Sequence, residues 1–183
     1  MSDIRQNIED LTSEILMKND LYKIPADIIV IAKNNNIDVY NIDLPQNIQG
    51  AIRYYKENDK FQIILNGKLN LRQRRMTLAH EIGHFFLHKD ILKSDEIHVD
   101  IMYRIEGEAE KEVEYFAGAL LMNKLLLEKT YESITDIKEL SDLFEVSESD
   151  MTLRLSILGL IWVKKIIFLQ CTKEKNYLNC LII

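Results

Sequence analysis

The sequence predicts an α+β fold in which a small sheet packs on one long apolar helix and a helical C-terminal part completes the core. Three observations carry this. Short apolar runs near residues 37–42, 50–56 and 61–66 have the length and composition of strands. Met76, Leu78, Ala79, Ile82, Phe85, Phe86 and Leu87 then mark a helix long and apolar enough to cross the interior of a domain. The second half of the chain keeps helical periodicity with few breakers, and strands followed by helices in this way are the mark of segregated α+β architecture.

Taken in order, periodicity places helices at 3–18 and 25–35, then the three strands. The apolar helix runs over 70–88, with Asn70 as its N-cap and Lys89 and Asp90 near its end. A variable loop follows at 89–105 with a short strand at 97–104. Ala109, Val113, Phe116, Ala117, Leu120 and Leu121 share one helical stripe within a helix over 107–129. Helices at 134–145 and 148–158 and strands near 161–170 and 176–182 end the chain. Only Pro25 and Pro45 occur, no Ser/Gly-rich linker divides the chain, and no repeat or low-complexity segment is present. One domain over 1–183 is the expectation, with its core at 20–160 and terminal strands at 161–183.

Composition narrows the class. With 183 residues, 47% hydrophobic and 28% charged, the chain can bury a continuous core, which excludes a disordered or fibrous protein. The first ten residues lack a basic and then apolar leader and no segment approaches a membrane span, so the expected location is cytoplasmic, with no membrane partner. Cys171 and Cys180 form no metal motif and are expected as reduced thiols that can face each other across a terminal hairpin.

The chemistry lies in His80-Glu81-Ile82-Gly83-His84. Residues four apart share a helix face, so His80 and His84 can present two imidazole nitrogens to one metal ion while Glu81 flanks it. Catalytic zinc uses three protein ligands and keeps one position for water, so two histidines need a third partner. A carboxylate beside the metal then takes a proton from water and passes it to the leaving amine, the role for which Glu81 is placed. The bland alternative is a pair of hydrogen-bonded core histidines, but buried histidines on so apolar a helix need partners, and a metal supplies one.

Periodicity alone leaves the third ligand open. Glu106, Glu110 and Glu114 all precede or flank the apolar stripe of the next helix, within a charge run that also reads as a solvated face. Glu110 stands modestly ahead, with Glu114 one turn later positioned to accept the distal N–H of a ligating histidine.

Two segments together resemble the ImmA/IrrE family of zinc-dependent peptidases. They are Arg75-Met-Thr77-Leu-Ala-His80-Glu-Ile-Gly-His84 and Glu110-Lys-Glu-Val-Glu114-Tyr-Phe116-Ala117-Gly-Ala-Leu120-Leu-Met122. The flanks fit as well: Pro25 opening a helix, the strand ending at Asn66, and a closing helical pair at 140–159. The resemblance implies a single zincin-like metallopeptidase domain and a gluzincin-like site. It would hold one Zn2+ per chain on His80, His84 and Glu110, with Glu81 as general base. Val113 stands where the family prefers Ala, Glu114 where it prefers Asn or Asp, and Asn123 where it prefers Pro; none removes a ligand. The implied function is endopeptidase cleavage of a helix-turn-helix transcriptional repressor, relieving repression in a phage, a mobile element or a stress response. The alternative is a non-cleaving anti-repressor that sequesters its regulator. Longer members add a sensory domain after the helical part, so here a switching signal is expected from a partner, from expression or from the state of the substrate.

Other residues carry weaker expectations. A helical His88 lies ~6 Å from His84 and ~12 Å from His80 along the axis, so the three cannot easily share one ion, and His88 is expected to be structural or to support a ligating residue. His98, Tyr103 and Tyr115 are candidates to stabilise the oxyanion. Strand 61–66 is either an edge that binds an extended peptide or, the slightly favoured reading, a buried strand. Residues 137–158 have helix-turn-helix rhythm, but 136–160 hold six acidic residues against two basic ones and the chain is net −6, so direct nucleic-acid binding is not expected. Arg72, Arg74 and Arg75 are expected to meet acidic groups of a partner or of neighbouring segments.

Overall fold

The computed structural model describes residues 2–93 and 107–161. Among these, seven helices and three strands follow the predicted α+β order. They are α1 (Ser2–Lys18), α2 (Ile29–Asn34), β1 (Ile37–Ile42), β2 (Gly50–Tyr55), β3 (Lys60–Asn66), α3 (Leu71–Lys93), α4 (Glu108–Leu121), α5 (Lys124–Tyr131), α6 (Ile137–Phe144) and α7 (Glu148–Ile157). The strands expected at 97–104 and from 161–170 onward, the cysteine pair, His98 and Tyr103 lie outside the described residues.

The sheet has the order β1-β3-β2. β3 pairs parallel with β1 (Ile37 opposite Phe61) and antiparallel with β2 (Ile52 opposite Ile63), so it is central and buried, and the edge beside α3 is β2. Its last residue, Asn66, is buried and pins the β1–β2 loop. Its amide donates to the carbonyls of Leu44, Pro45 and Ile48, and its oxygen accepts from the amides of Leu44 and Lys68.

One face of α3 meets β2 and β3, and α4 packs along it with α1 behind α4. The fully buried Ile63, Ile82, Phe116 and Leu120 belong to the core that joins these layers. A reciprocal cap starts α3: Gln73 N–H donates to the Asn70 side chain and Asn70 N–H donates to the Gln73 side chain. Gly83 sets how closely α4 approaches, because a Cβ there would stand 3.0 Å from both Val113 Cγ1 and Phe116 Cδ1.

Four boundaries depart from the periodicity. The helix expected from residue 25 begins at Ile29, because the Ala26 carbonyl accepts from Arg75 and not from an amide one turn on. α3 does not stop at 88: the backbone leaves helical geometry at His88 (φ −127°, ψ 21°) and then resumes to Lys93. The added turn buries Leu92 and sets Lys93 over the Tyr54 ring. The helix expected over 107–129 is two, α4 and α5. Arg154 takes the Met122 carbonyl (3.0 Å), and Asn123 caps α5 by accepting from Leu126 N–H (3.4 Å). α6 starts at its Asp136 cap, which accepts from Glu139 N–H, and not at residue 134.

The basic cluster meets the acidic α6–α7 pair inside the molecule. Arg72 binds Asp142 and the Val146 carbonyl, and Arg75 binds Glu145 (3.4 Å). Deeper still, Arg154 and Glu9 form a two-pronged ion pair (2.8 and 2.9 Å) that ties α7 to α1, and Tyr115 of α4 donates to the same Glu9 (2.6 Å). Among the described residues, no helix is long and apolar enough to cross a membrane.

Candidate metal centre

α3 projects His80 and His84 one turn apart, and α4 brings its first turn against them. The two Nε2 atoms lie 3.1 Å apart, with Glu110 Oε2 3.3 Å from His80 Nε2 and Oε1 3.4 Å from His84 Nε2. These separations fit a metal. Tetrahedral ligands at about 2.0–2.1 Å from zinc stand about 3.3–3.4 Å from one another. His80, His84 and Glu110 are the one such group of three among the described residues.

The protonation states suit ligation. Burial lowers the pKa of His80, and burial followed by the two neighbouring histidines lowers His84 to about 3, so both rings are neutral near pH 7, the form that coordinates. Burial and then Glu114 raise Glu110. His84 Nδ1 faces His88 Nδ1 at 3.3 Å, so the buried His88 sits behind a cluster residue and fixes which way its ring turns. Glu114, expected in that position, makes no hydrogen bond to His80 or His84; it is exposed and lines the cavity on the other side of His80.

Glu81 is buried on the sheet side of α3. Its carboxylate accepts from Ile52 N–H of β2, and burial, reinforced by the Glu110 charge, raises its pKa to about 8. A dication held by the adjacent cluster opposes that shift and favours the carboxylate. Gly50 makes the placement possible, since a Cβ there would lie 2.6 Å from Thr77 Cγ2 and 3.3 Å from Glu81 Oε1. Sequence reasoning passed over Gly50 and Ile52. A lone glycine opening a predicted strand was the available signal for close backbone approach. No sequence signal marks a backbone amide.

Tyr115 does not serve the cluster. It is five positions past Glu110 on α4, and its hydroxyl is spent on Glu9. Glu106 lies outside the described residues. The geometry therefore offers three converging donors, a carboxyl group beside them, and partial exposure at His80 and Glu110 through which a substrate can approach.

No curated protein sequence matches the chain. Among solved structures, a Mycobacterium tuberculosis transcriptional regulator superposes with a TM-score of 0.55 at 19% identity, over 85% of this chain and 47% of that one. That likeness concerns the fold, and the chain spans about half the length of the regulator. Residues 32–156 match the IrrE N-terminal-like domain of peptidase family M78, more than half of the sequence, so the chain belongs to that metallopeptidase family.

Proposed function

We propose that the protein is a zinc-dependent endopeptidase acting in the cytoplasm as a single domain. Its substrate on this reading is a helix-turn-helix transcriptional repressor, whose cleavage relieves repression. The observation that carries the peptidase reading is the convergence of His80, His84 and Glu110 within 4.8 Å beside the buried Glu81. The repressor rests on the family resemblance alone.

A zinc ion held by His80, His84 and Glu110 would supply Lewis acidity, polarising a carbonyl and acidifying water. The chain's own residues do the rest. Glu81, held by Ile52 N–H, takes a proton from the attacking water and delivers it to the nitrogen as the C–N bond breaks, leaving a carboxylate and an amine. The outer edge of β2 runs past this carboxyl group, and an extended peptide added there would align its backbone by main-chain hydrogen bonds. α7 offers little to a phosphate backbone, because Arg154 is buried on Glu9.

The test is intact mass spectrometry of a genetically neighbouring repressor-like protein after incubation with zinc-loaded wild type and with Glu81→Gln. Fragments from the wild type alone, with Glu81→Gln slower by on the order of 10²- to 10⁴-fold, are expected. A repressor that stays whole yet co-elutes with both proteins contradicts the peptidase reading and supports sequestration.

A further inference from the structure

A cavity of about 310 Å³ opens beside His80, between α3, α4 and α7. Met76, Met122, Leu153 and Ile157 give it apolar walls, and Glu114 and Asp150 also line it. Arg154, which also borders it, adds no free charge, because its guanidinium is neutralised by Glu9. Glu114 is exposed and makes no hydrogen bond or ion pair among the described residues, and Asp150 is engaged there only by the Ser147 hydroxyl (2.6 Å). The result is an apolar hollow with two carboxylates that form no ion pair among the described residues, the nearby Lys111 being engaged by Glu108 (2.8 Å), and it shares His80 with the metal cluster.

We infer that this cavity is a specificity pocket that receives an arginine or lysine side chain flanking the scissile bond. The inference rests on the peptidase reading of the adjacent site. Chemistry selects the occupant. An aliphatic stem packs on Met76, Met122 and Leu153, and the cationic head meets Glu114 and Asp150. A wholly apolar side chain would strip water from two carboxylates and return nothing. The shared wall at His80 places the occupant next to the reacting carbonyl, where its binding acts on the rate of cleavage. Gly118 keeps one wall open, for a Cβ there meets nothing nearer than Arg154 Cδ at 4.0 Å.

The experiment is a mass-spectrometric map of bonds cut by the zinc-loaded full chain in a peptide library. It is run in parallel with Glu114→Gln and with Gly118→Leu, which fills the pocket while improving helix propensity. Lys or Arg at one fixed flanking position, enriched on the order of tenfold, is expected, with the enrichment reduced by Glu114→Gln and abolished by Gly118→Leu. Cleavage that ignores basic residues, or a profile unchanged by both variants, overturns the pocket and leaves the peptidase reading standing. If the wild type cuts nothing, the peptidase reading fails, and the pocket is judged by the methionine methyl NMR signals of Met76 and Met122. Shifts with N-acetyl-arginine amide at concentrations about tenfold below N-acetyl-norleucine amide, lost in Glu114→Gln, support a cation pocket. Equal responses, or none, overturn it.

Discussion

Glu81 is under two opposed pressures, and the balance between them makes stability depend on pH in a way the metal reverses. In the metal-free protein its carboxyl stays protonated up to about pH 8 against an ordinary value of 4.5, so between these values the folded state binds more protons than the unfolded chain and stability falls as pH rises. His84 acts in the other sense. Titrating near 3 when folded against 6.5 when unfolded, it makes stability rise with pH across that range, and His80 shifts in the same direction. His88 shifts with them, and because an unfolded histidine is still half protonated at pH 6.5, the histidine slope offsets that of Glu81 there and fades over about the next pH unit. Denaturant midpoints of wild type in the presence of a chelator are therefore expected to fall relative to those of Glu81→Gln as pH rises from 6.5 to 8. Parallel curves for the two proteins would count against this account of Glu81. With zinc present the added stability is expected to grow with pH, because the ligands bind the metal only when deprotonated.

At the scale of elements, the site depends on how closely α4 and β2 press on α3. Gly83 and Gly50 are the two places where an absent side chain sets that distance. Gly83→Ala must displace Val113 and Phe116, both fully buried, and a loss of about 1–3 kcal/mol is expected in chemical denaturation, since overpacking a filled core costs that much. The same variant should weaken zinc, because it moves the helix that carries Glu110 away from the one that carries the histidines. Unchanged zinc affinity in Gly83→Ala would show that α4 can shift without moving Glu110. Val113, where the family prefers Ala, is accommodated at this same contact because residue 83 has no side chain. The break between α4 and α5 has a similar origin. Asn123 caps α5 by accepting from Leu126 N–H, and its side chain also donates to Ser13 of α1 (2.9 Å).

Over the whole molecule, the longest-range tie among the described residues is the buried Glu9–Arg154 pair, which joins residues 145 positions apart and carries Tyr115 and the Met122 carbonyl with it. Removing one charge strands the other. Arg154→Leu is expected to cost about 3–5 kcal/mol in urea unfolding, with much of the loss recovered when Glu9→Leu is added; a double variant no more stable than the single one would refute the pairing as the cause. Reading the chain as a string was sufficient for the His80, Glu81 and His84 face, the α+β order and the Asn70 cap, because helical period, strand composition and capping are local and operate between residues a few positions apart. It put Glu110 only modestly ahead of Glu106 and Glu114, and it offered Tyr115 to the oxyanion and Glu114 to a histidine N–H, where the structure sends neither. Which face of α4 meets α3 depends on packing between segments distant in sequence, and periodicity defines a stripe without saying what lies opposite each position. The environment of Glu81 was equally closed to the sequence, since it is made by a β2 amide and the missing Cβ of Gly50. The sequence by itself determined which chemical groups the site has and the elements that carry them. Only the tertiary structure decided which of those groups meet, because meeting is set by the distances at which helices and sheet close on one another.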